Sequence, residues 1–380
     1  MVALNTNDGA GPDATTIGVL RETHAGEQRV SLVPADVKRL AGRVTIIVEH
    51  GAGEAAGFAD TDYAAAGARL ASTDAVIAAA QIVAKVRAPG RSDALRAHTI
   101  LISLGGRDAT LGDALRAHSI THFGLERLPR TTRAQSMDVL SSQAAIAGYA
   151  AVLEGARHMS AILPMMTTAA GSIRPANMIA VGAGVAGLQA IATARRLGAV
   201  AHGFDVREAA REQIESLGAK FVSIDTDNAS AEGAGGYAGE QSEHEQQRVR
   251  AALARHLVPM QLIVTSAQIP GRRAPLLIDE AAIAALSPGS VIVDLAAESG
   301  GNTALTRADD VVTIGGVHIL GPTNLPSAAA ADASRLFSGN IRALLDHLVT
   351  SDGKLTLDTD DAITAALLAG QPKPDVAIAA

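Results

Sequence analysis

Between residues 182 and 187 the chain reads Gly182-Ala183-Gly184-Val185-Ala186-Gly187, a run that is weak evidence by itself in a chain with 37 glycines. Its surroundings turn it into a strong constraint. An apolar stretch of strand character, Met178–Val181, leads into it, and an amphipathic stretch of helix character, Leu188–Leu197, leads out. A second apolar stretch, Val200–Phe204, then ends at Asp205, close to the offset of ~20 residues at which an acidic side chain completes a dinucleotide-binding βαβ unit. Gly182 would permit the tight turn, Gly184 would let the backbone approach a pyrophosphate, and Gly187 would let the helix pack close to the sheet. The helix N-terminus, with Val185 and Ala186 in its first turn, would face the anion. Asp205, followed by Val206 and Arg207, would accept hydrogen bonds from the adenosine ribose. Its charge would repel a 2′-phosphate, so NAD is favoured over NADP, and Arg207 weakens that preference only slightly. The competing reading is that the glycines serve packing alone.

With 380 residues the chain is long enough for two domains. Hydrophobic residues make up 48% but aromatics only 2%, so the core must be built from Ala, Val, Ile and Leu, which suits an α/β sheet covered on both faces. A formal charge of -7 without a basic block argues against nucleic-acid binding. Zero cysteines exclude disulfides, thiolate metal sites and Cys nucleophiles, and no metal site is expected. No stretch reaches the roughly 18 apolar residues of a membrane span. The start, Met1 to Thr16, is polar and Gly/Asp-rich and reads as a flexible leader rather than a signal peptide, giving the expectation of a soluble, cytoplasmic protein.

Strand-like runs at Ile17–Leu20, Val44–Val48, Ile82–Val86, Thr99–Leu104 and Ser119–Phe123 alternate with helical patterns at Pro34–Leu40, Asp62–Ala68 and Leu111–His118. A polar stretch, Glu126 to Ser141, ends this first unit, and a long helix is predicted from about Ser142 to Ile162. The second unit adds strands at Leu262–Thr265, Ser290–Leu295 and Val317–Leu320. Its pattern is broken by a Gly-, Ser- and Glu-rich insert, Asp225 to Gln246, of a kind that is usually functional or disordered. An amphipathic segment, Ser334–Val349, is predicted to pack back on the first unit. The expectation is therefore two Rossmann-like doubly wound parallel-sheet domains with a cleft between them. The first takes 17–141 plus 327–370, the second takes 142–326 with a mobile loop at about 225–246, and 371–380 is a tail.

A dehydrogenase acting on an alcohol or amine needs an acid or base near the nicotinamide, often His or Lys. Of the 11 histidines none falls in a convincing constellation. His98, His118, His122, His158 and His347 each read better as solvated or core histidines. Lys85, at the end of an apolar strand, is more suggestive, although an ordinary strand-end charge explains it equally well. The stretch Pro129-Arg130-Thr131-Thr132-Arg133-Ala134-Gln135-Ser136-Met137-Asp138-Val139-Leu140-Ser141-Ser142 offers donors and acceptors suited to a nicotinamide and its ribose, but no proton shuttle. Hydride transfer between two nicotinamides would need none. By composition alone the same stretch reads as a solvated interdomain loop.

Pro129–Gln143, Met165-Met166-Thr167-Thr168-Ala169-Ala170-Gly171, the glycine turn with Leu188–Ala194, and Ile269-Pro270-Gly271 together resemble proton-translocating NAD(P) transhydrogenase, specifically its NAD(H)-binding domain I on the alpha subunit. The resemblance runs from about Ile17 to Val349 and is most specific at Arg-Ala-Gln-Ser-Met-Asp. It implies that Arg130, Gln135, Asp138 and Ser141 position the dihydronicotinamide for hydride transfer to NADP on domain III. It places the acidic ribose ligand at Asp205 and a mobile-loop tyrosine, closing over NAD, at Tyr237 beside Gly236. Ala267 and Gln268 complete the implied nucleotide contacts. The implied activity is a Si-specific, proton-translocating transhydrogenation, dependent on a membrane domain II and a domain III carried on other chains. A homodimer, peripheral at the inner face of the membrane through its partners, is also implied.

Three departures from the family pattern stand out. Gly239 and Gln241 follow the lid tyrosine where a basic residue and a Met are usual, Gln268 replaces a Leu, and Ser103-Leu104-Gly105-Gly106 lacks a His seen in some relatives. The same superfamily includes alanine dehydrogenase, whose carboxylate-binding residues would fall on Arg29 and Lys85. Its catalytic His, however, would fall on Ser103 and its Asp on Glu298, which argues against that activity. A non-catalytic NAD(H)-binding module is the third reading, and Gln135 and Asp138 speak against it.

Overall fold

Alternating burial along each strand explains the architecture of the computed structural model, which describes residues 14–89, 95–224, 243–269, 272–371 and 378–379. The chain divides into two units, one of residues 1–143 and 326–380 and the other of residues 144–325.

In the first unit, β1 (Thr16–Val19), β2 (Thr45–Glu49), β3 (Arg69–Ala71), β4 (Ile82–Arg87), β5 (Ile100–Leu104) and β6 (Thr121–Gly124) form a sheet in the order β3-β2-β1-β4-β5-β6. Every pairing in it is parallel. Helices α1 (Pro34–Leu40), α2 (Asp60–Ala65), α3 (Thr73–Ala79) and α4 (Ala109–Ala117) form its crossovers. Successive strand residues enter opposite cores, as the strand period of two requires. Ile46, Val48, Ile82, Ala84, Ile100 and Ile102 pack on one face, while Ile47, Val83 and Leu101 pack on the other. A sheet apolar on both faces must be covered on both, which is what the helices do.

The predicted long helix is α5 (Val139–His158), beginning three residues earlier than expected. Asp138 explains the shift, because its carboxylate accepts the Ser141 N–H at 3.0 Å and so caps the helix start. A hairpin of β7 (Met166–Thr168) and β8 (Gly171–Ile173) follows and leaves Met165, Met166 and Ile173 exposed. The second sheet contains β9 (Asn177–Val181), β10 (Val200–Phe204), β11 (Lys220–Phe221), β12 (Leu262–Thr265), β13 (Val291–Asp294), β14 (Val311–Ile314) and β15 (Val317–Leu320). Their order is β11-β10-β9-β12-β13-β15-β14, parallel except for the antiparallel edge strand β14. The helices of this unit are α6 (Val185–Arg196), α7 (Ala210–Ser216), α8 (Glu243–Leu257) and α9 (Glu280–Ala284). Met178, Ala180, Leu262, Val264, Val291 and Val293 face one core, and Ile179, Val181, Ile263 and Ile292 the other.

The chain then returns to the first unit through α10 (Ala330–Leu348), followed by β16 (Leu357–Asp358), α11 (Ala362–Leu368) and β17 (Ile378–Ala379). Phe337, Ile341, Leu344, Leu345 and Leu348 lie on one stripe of α10 and complete the core over β1, β4 and β5, as the amphipathic pattern predicted. Polar bonds fix the same helix to the segment before α1. Ser334 Oγ accepts the Val30 N–H at 3.0 Å, and Ser338 Oγ accepts the Val33 N–H at 3.0 Å while donating to Asp36 at 2.7 Å.

Replacing Phe337 with Ala should therefore destabilise the chain by about 3–5 kcal/mol, the usual result of emptying an aromatic-sized site in a core. Urea unfolding is the test, and a loss below about 1 kcal/mol would show that α10 is not part of this core.

Candidate functional site

Strand β9 has β10 on one side and β12 on the other, so the direction of winding reverses beside β9, and the glycine turn leaves the sheet there. Crevices at the carboxyl ends of strands at such a reversal are where open α/β sheets bind ligands. Gly182 has φ +100°, and a Cβ there would lie 3.0 Å from both the Ala267 nitrogen and Ser266 Oγ. Its carbonyl accepts a hydrogen bond from Ser266 Oγ at 3.1 Å, and a Cβ on Gly187 would collide with that same carbonyl oxygen. Nothing lies within 4 Å of the position a Gly184 Cβ would take, leaving open space over the turn. Gly184 is the N-cap of α6 and has no side-chain cap, so the N–H groups of the first turn, at Val185, Ala186 and Gly187, have no partner inside the helix.

Asp205 lies just past β10, with its carboxylate fully engaged. One oxygen accepts the Arg207 N–H and Nε, each at 2.9 Å, and the other accepts the Ala183 N–H at 2.8 Å and Arg207 Nη2 at 2.9 Å. Arg207 is thus a two-point partner of the ribose-facing carboxylate, a tighter involvement than its position in the sequence suggested. A ribose diol approaching Asp205 competes with that guanidinium. Gln268 is exposed and donates to the Leu295 carbonyl at 3.0 Å, and Ala267 is half-buried at the end of β12. Gly236 and Tyr237 lie outside the described residues, as do Gly239 and Gln241.

In the first unit, the stretch from Thr132 to Met137 is a 3-10 turn whose start is capped by Thr131. Arg130 and Gln135 are exposed. Asp138 and Ser141 are joined by a 2.6 Å hydrogen bond from Ser141 Oγ, so these two candidates act as one unit. Asn340 on α10 holds the turn from behind, donating to the Ser136 carbonyl at 2.7 Å and accepting from Ser142 Oγ at 2.7 Å.

The residues matching a carboxylate-binding pair are deeply buried and internally engaged. Arg29 donates Nε and Nη2 to Glu27 at 2.8 and 2.7 Å and Nη1 to Gln143 at 2.9 Å. Burial alone would raise the Glu27 carboxyl, but the hydrogen bonds and charge of Arg29 and the Ser327 hydroxyl bring it down to about 2. Lys85 lies within β4 rather than at its end, donating to the Arg21 carbonyl at 2.7 Å beside Glu22 at 3.4 Å. Burial raises the Glu22 carboxyl, and Lys85 opposes that shift. Ser103 hydrogen-bonds His122 Nε2 at 3.0 Å in the core. His122 is the core histidine its strand suggested, while His98 and His118 are exposed. Among the described residues no group of three or more His, Asp or Glu could hold a metal, and no helix is long and apolar enough to cross a membrane.

Asn302 and Asp294 escaped the sequence reading. Asp294 ends β13 fully buried, and Asn302 is buried beside it, with its amide against Ala267. An acidic residue closing an otherwise apolar strand, followed by Gly300-Gly301-Asn302, was the available signal.

Two family models match this chain: alanine dehydrogenase/PNT, N-terminal domain, over residues 18–147, and alanine dehydrogenase/PNT, C-terminal domain, over residues 151–373. The chain belongs to the alanine dehydrogenase/PNT family. Within that family it is 44% identical over 350 residues to the first portion of the NAD(P) transhydrogenase alpha subunit of Rhodospirillum rubrum, a separate polypeptide, spanning 89% of this chain and 91% of that one. The crystal structure of transhydrogenase from Sinorhizobium meliloti matches with a TM-score of 0.84 at 37% identity, covering 94% of this chain and 99% of that one. Alanine dehydrogenase of Mycobacterium tuberculosis is more distant, 29% identical over 75% of this chain and 73% of its own. The chain is thus much closer to transhydrogenase alpha subunits than to the alanine dehydrogenase.

Burial holds His122 neutral down to about pH 4, against 6.5 for a free side chain. Below pH 6.5 the unfolded chain takes up a proton that the native state refuses, so stability falls as pH drops toward 4 and is unaffected by this group above 6.5. Urea unfolding of wild type and His122→Gln at pH ~7 and ~4.5 should show the variant spared about 2 kcal/mol of acid loss. Equal losses would place the acid sensitivity elsewhere.

Proposed function

We propose that the chain is the NAD(H)-binding component of a Si-specific, proton-translocating NAD(P) transhydrogenase. The observation that carries this reading is the glycine turn at the winding reversal, open above Gly184 and flanked by Asp205, in a chain this similar to transhydrogenase alpha subunits. The first-turn N–H groups of α6 hold the pyrophosphate, and Asp205 takes the adenosine ribose, with Arg207 yielding part of its pairing. NAD is favoured over NADP because a 2′-phosphate would meet the Asp205 carboxylate. Bound NADH supplies the hydride. Gln135 and Arg130, exposed on the 3-10 turn, and the bonded pair Asp138 and Ser141 orient the nicotinamide during transfer. No proton has to move on this chain, which accords with Ser103 standing where alanine dehydrogenase would need its histidine. NADP and the proton path belong to domains III and II on other chains, and the chain acts as a homodimer attached through them to the inner face of the membrane.

The direct assay mixes the whole chain with the NADP-binding domain III of a related transhydrogenase and follows hydride exchange from NADH to an NADP analogue. Exchange is expected; NADH binding without exchange would sink the proposal, and NADH oxidation dependent on pyruvate and ammonia would replace it with the dehydrogenase reading. Asp205→Ala should weaken NADH binding about tenfold or more, as removal of a charged hydrogen-bond acceptor implies. An unchanged dissociation constant would show the turn to be misread. Gln135→Ala should slow hydride transfer at least about tenfold with little loss of NADH affinity, because a misplaced nicotinamide binds but reacts slowly. A dominant loss of affinity would instead make Gln135 a binding residue.

A further inference from the structure

The wall facing the glycine turn across the winding reversal is the backbone just past β12, and one buried side chain holds it. Asn302 accepts the Ala267 N–H on Oδ1 at 3.0 Å and returns Nδ2 to the Ala267 carbonyl at 2.8 Å. The same Nδ2 also donates to the Pro275 carbonyl at 2.9 Å. A primary amide bonded to both polar groups of one peptide residue fixes that residue in two dimensions, as a neighbouring strand would. Asn302 is itself held by the buried Asp294, which accepts its N–H at 2.6 Å, the Thr303 N–H at 3.3 Å, the Thr306 hydroxyl at 2.6 Å and the Ala296 N–H at 2.9 Å. Its carbonyl accepts the Leu277 and Ile278 N–H groups at 2.8 and 3.1 Å.

Ala267 is placed so that its nitrogen would lie 3.0 Å from a Cβ on Gly182, and the neighbouring Ser266 hydroxyl bonds the Gly182 carbonyl. The height of this backbone therefore sets how far the turn sits from β12. Asp205 lies at the end of β10, on the other side of β9 from β12. With the adenosine on the β10 side, the remainder of a dinucleotide crosses the reversal toward β12 and Ala267.

We propose that Asn302, seated on Asp294, is a positioning residue for the nicotinamide half of the nucleotide. It acts by fixing Ala267, and the proposal rests on the reading of the glycine turn as the NAD(H) site. A loosened Ala267 wall disturbs the half of the ligand beyond the pyrophosphate and leaves the adenosine half, held by Asp205 and α6, intact.

The test compares dissociation constants of the whole chain for NADH and for ADP, which carries only the adenosine and the diphosphate. Asn302→Ala should weaken NADH about tenfold, the effect of leaving two buried backbone groups without partners, while ADP binding stays within about twofold. If that variant does not fold, Thr306→Val provides the milder lesion. It keeps the volume, removes one donor from Asp294, and should weaken NADH about threefold with ADP again unchanged. Equal losses for both ligands would make Asn302 a merely structural residue, and no loss for either would remove it from the site; both results overturn the proposal. Asp205→Ala in the same series should weaken NADH and ADP together. If wild type binds neither ligand, or Asp205→Ala changes neither constant, the nucleotide-site reading fails and this proposal falls with it.

Discussion

The contact between Gly187 and the carbonyl of Gly182 fixes the rest of the second unit. It brings the first turn of α6 directly onto the end of β9, closer than any side chain would permit. That approach leaves the open space above Gly184 and points the unpartnered N–H groups of α6 into it. On one side of the turn the Ala183 N–H is tied to Asp205, and on the other the Gly182 carbonyl is tied to Ser266. The turn is thereby held from both neighbouring strands before any ligand arrives. Prior placement of donors is what makes such a site effective, since a floppy loop would have to be ordered at the expense of affinity.

The first unit follows a different logic. Its centre is a buried charged group in which Glu27 serves Arg29, Arg87 and the Ser327 hydroxyl together. Lys85 and Glu22 form a second buried pair nearby in the sequence of β4. Burying charges is tolerable only when each is matched and hydrogen-bonded, and this group meets that condition with partners about 300 residues apart. The chain thus uses electrostatics in the first unit to hold sequence-distant segments in place. In the second it leaves the ends of backbone dipoles open.

What the sequence disclosed follows the physics of burial. Val200–Phe204, Leu262–Thr265 and Val317–Leu320 match their strands residue for residue because each is an apolar run in a two-faced core. The hairpin β7–β8 escaped because it is exposed and lacks apolar alternation. Strand β14 escaped although Gly315 and Gly316, both at positive φ, are a strong hairpin-turn signal. At the site, the glycine turn and Asp205 were legible because their spacing reflects a backbone requirement. Asn302 was not, because its importance lies in two hydrogen bonds to a residue 35 positions away, which no local pattern encodes. The pairing of Arg207 with Asp205 belongs to the same class, since two residues separated by one show their charge in sequence but not their geometry.

The return of α10 to the first unit has a consequence for how the protein is made. The core over β1, β4 and β5 lacks Phe337, Ile341, Leu344 and Leu345 until the ribosome has passed them. Emergence runs from the N-terminus, and domains fold as units as they emerge. The second unit, contiguous from residue 144 to 325, is therefore complete while the first still exposes an unfinished apolar face. The segment made first is the last to close. The nascent chain spends the synthesis of the whole second unit with its earliest strands in need of shielding, and a truncation anywhere between the two, before the end of α10, yields a folded second unit attached to an open sheet.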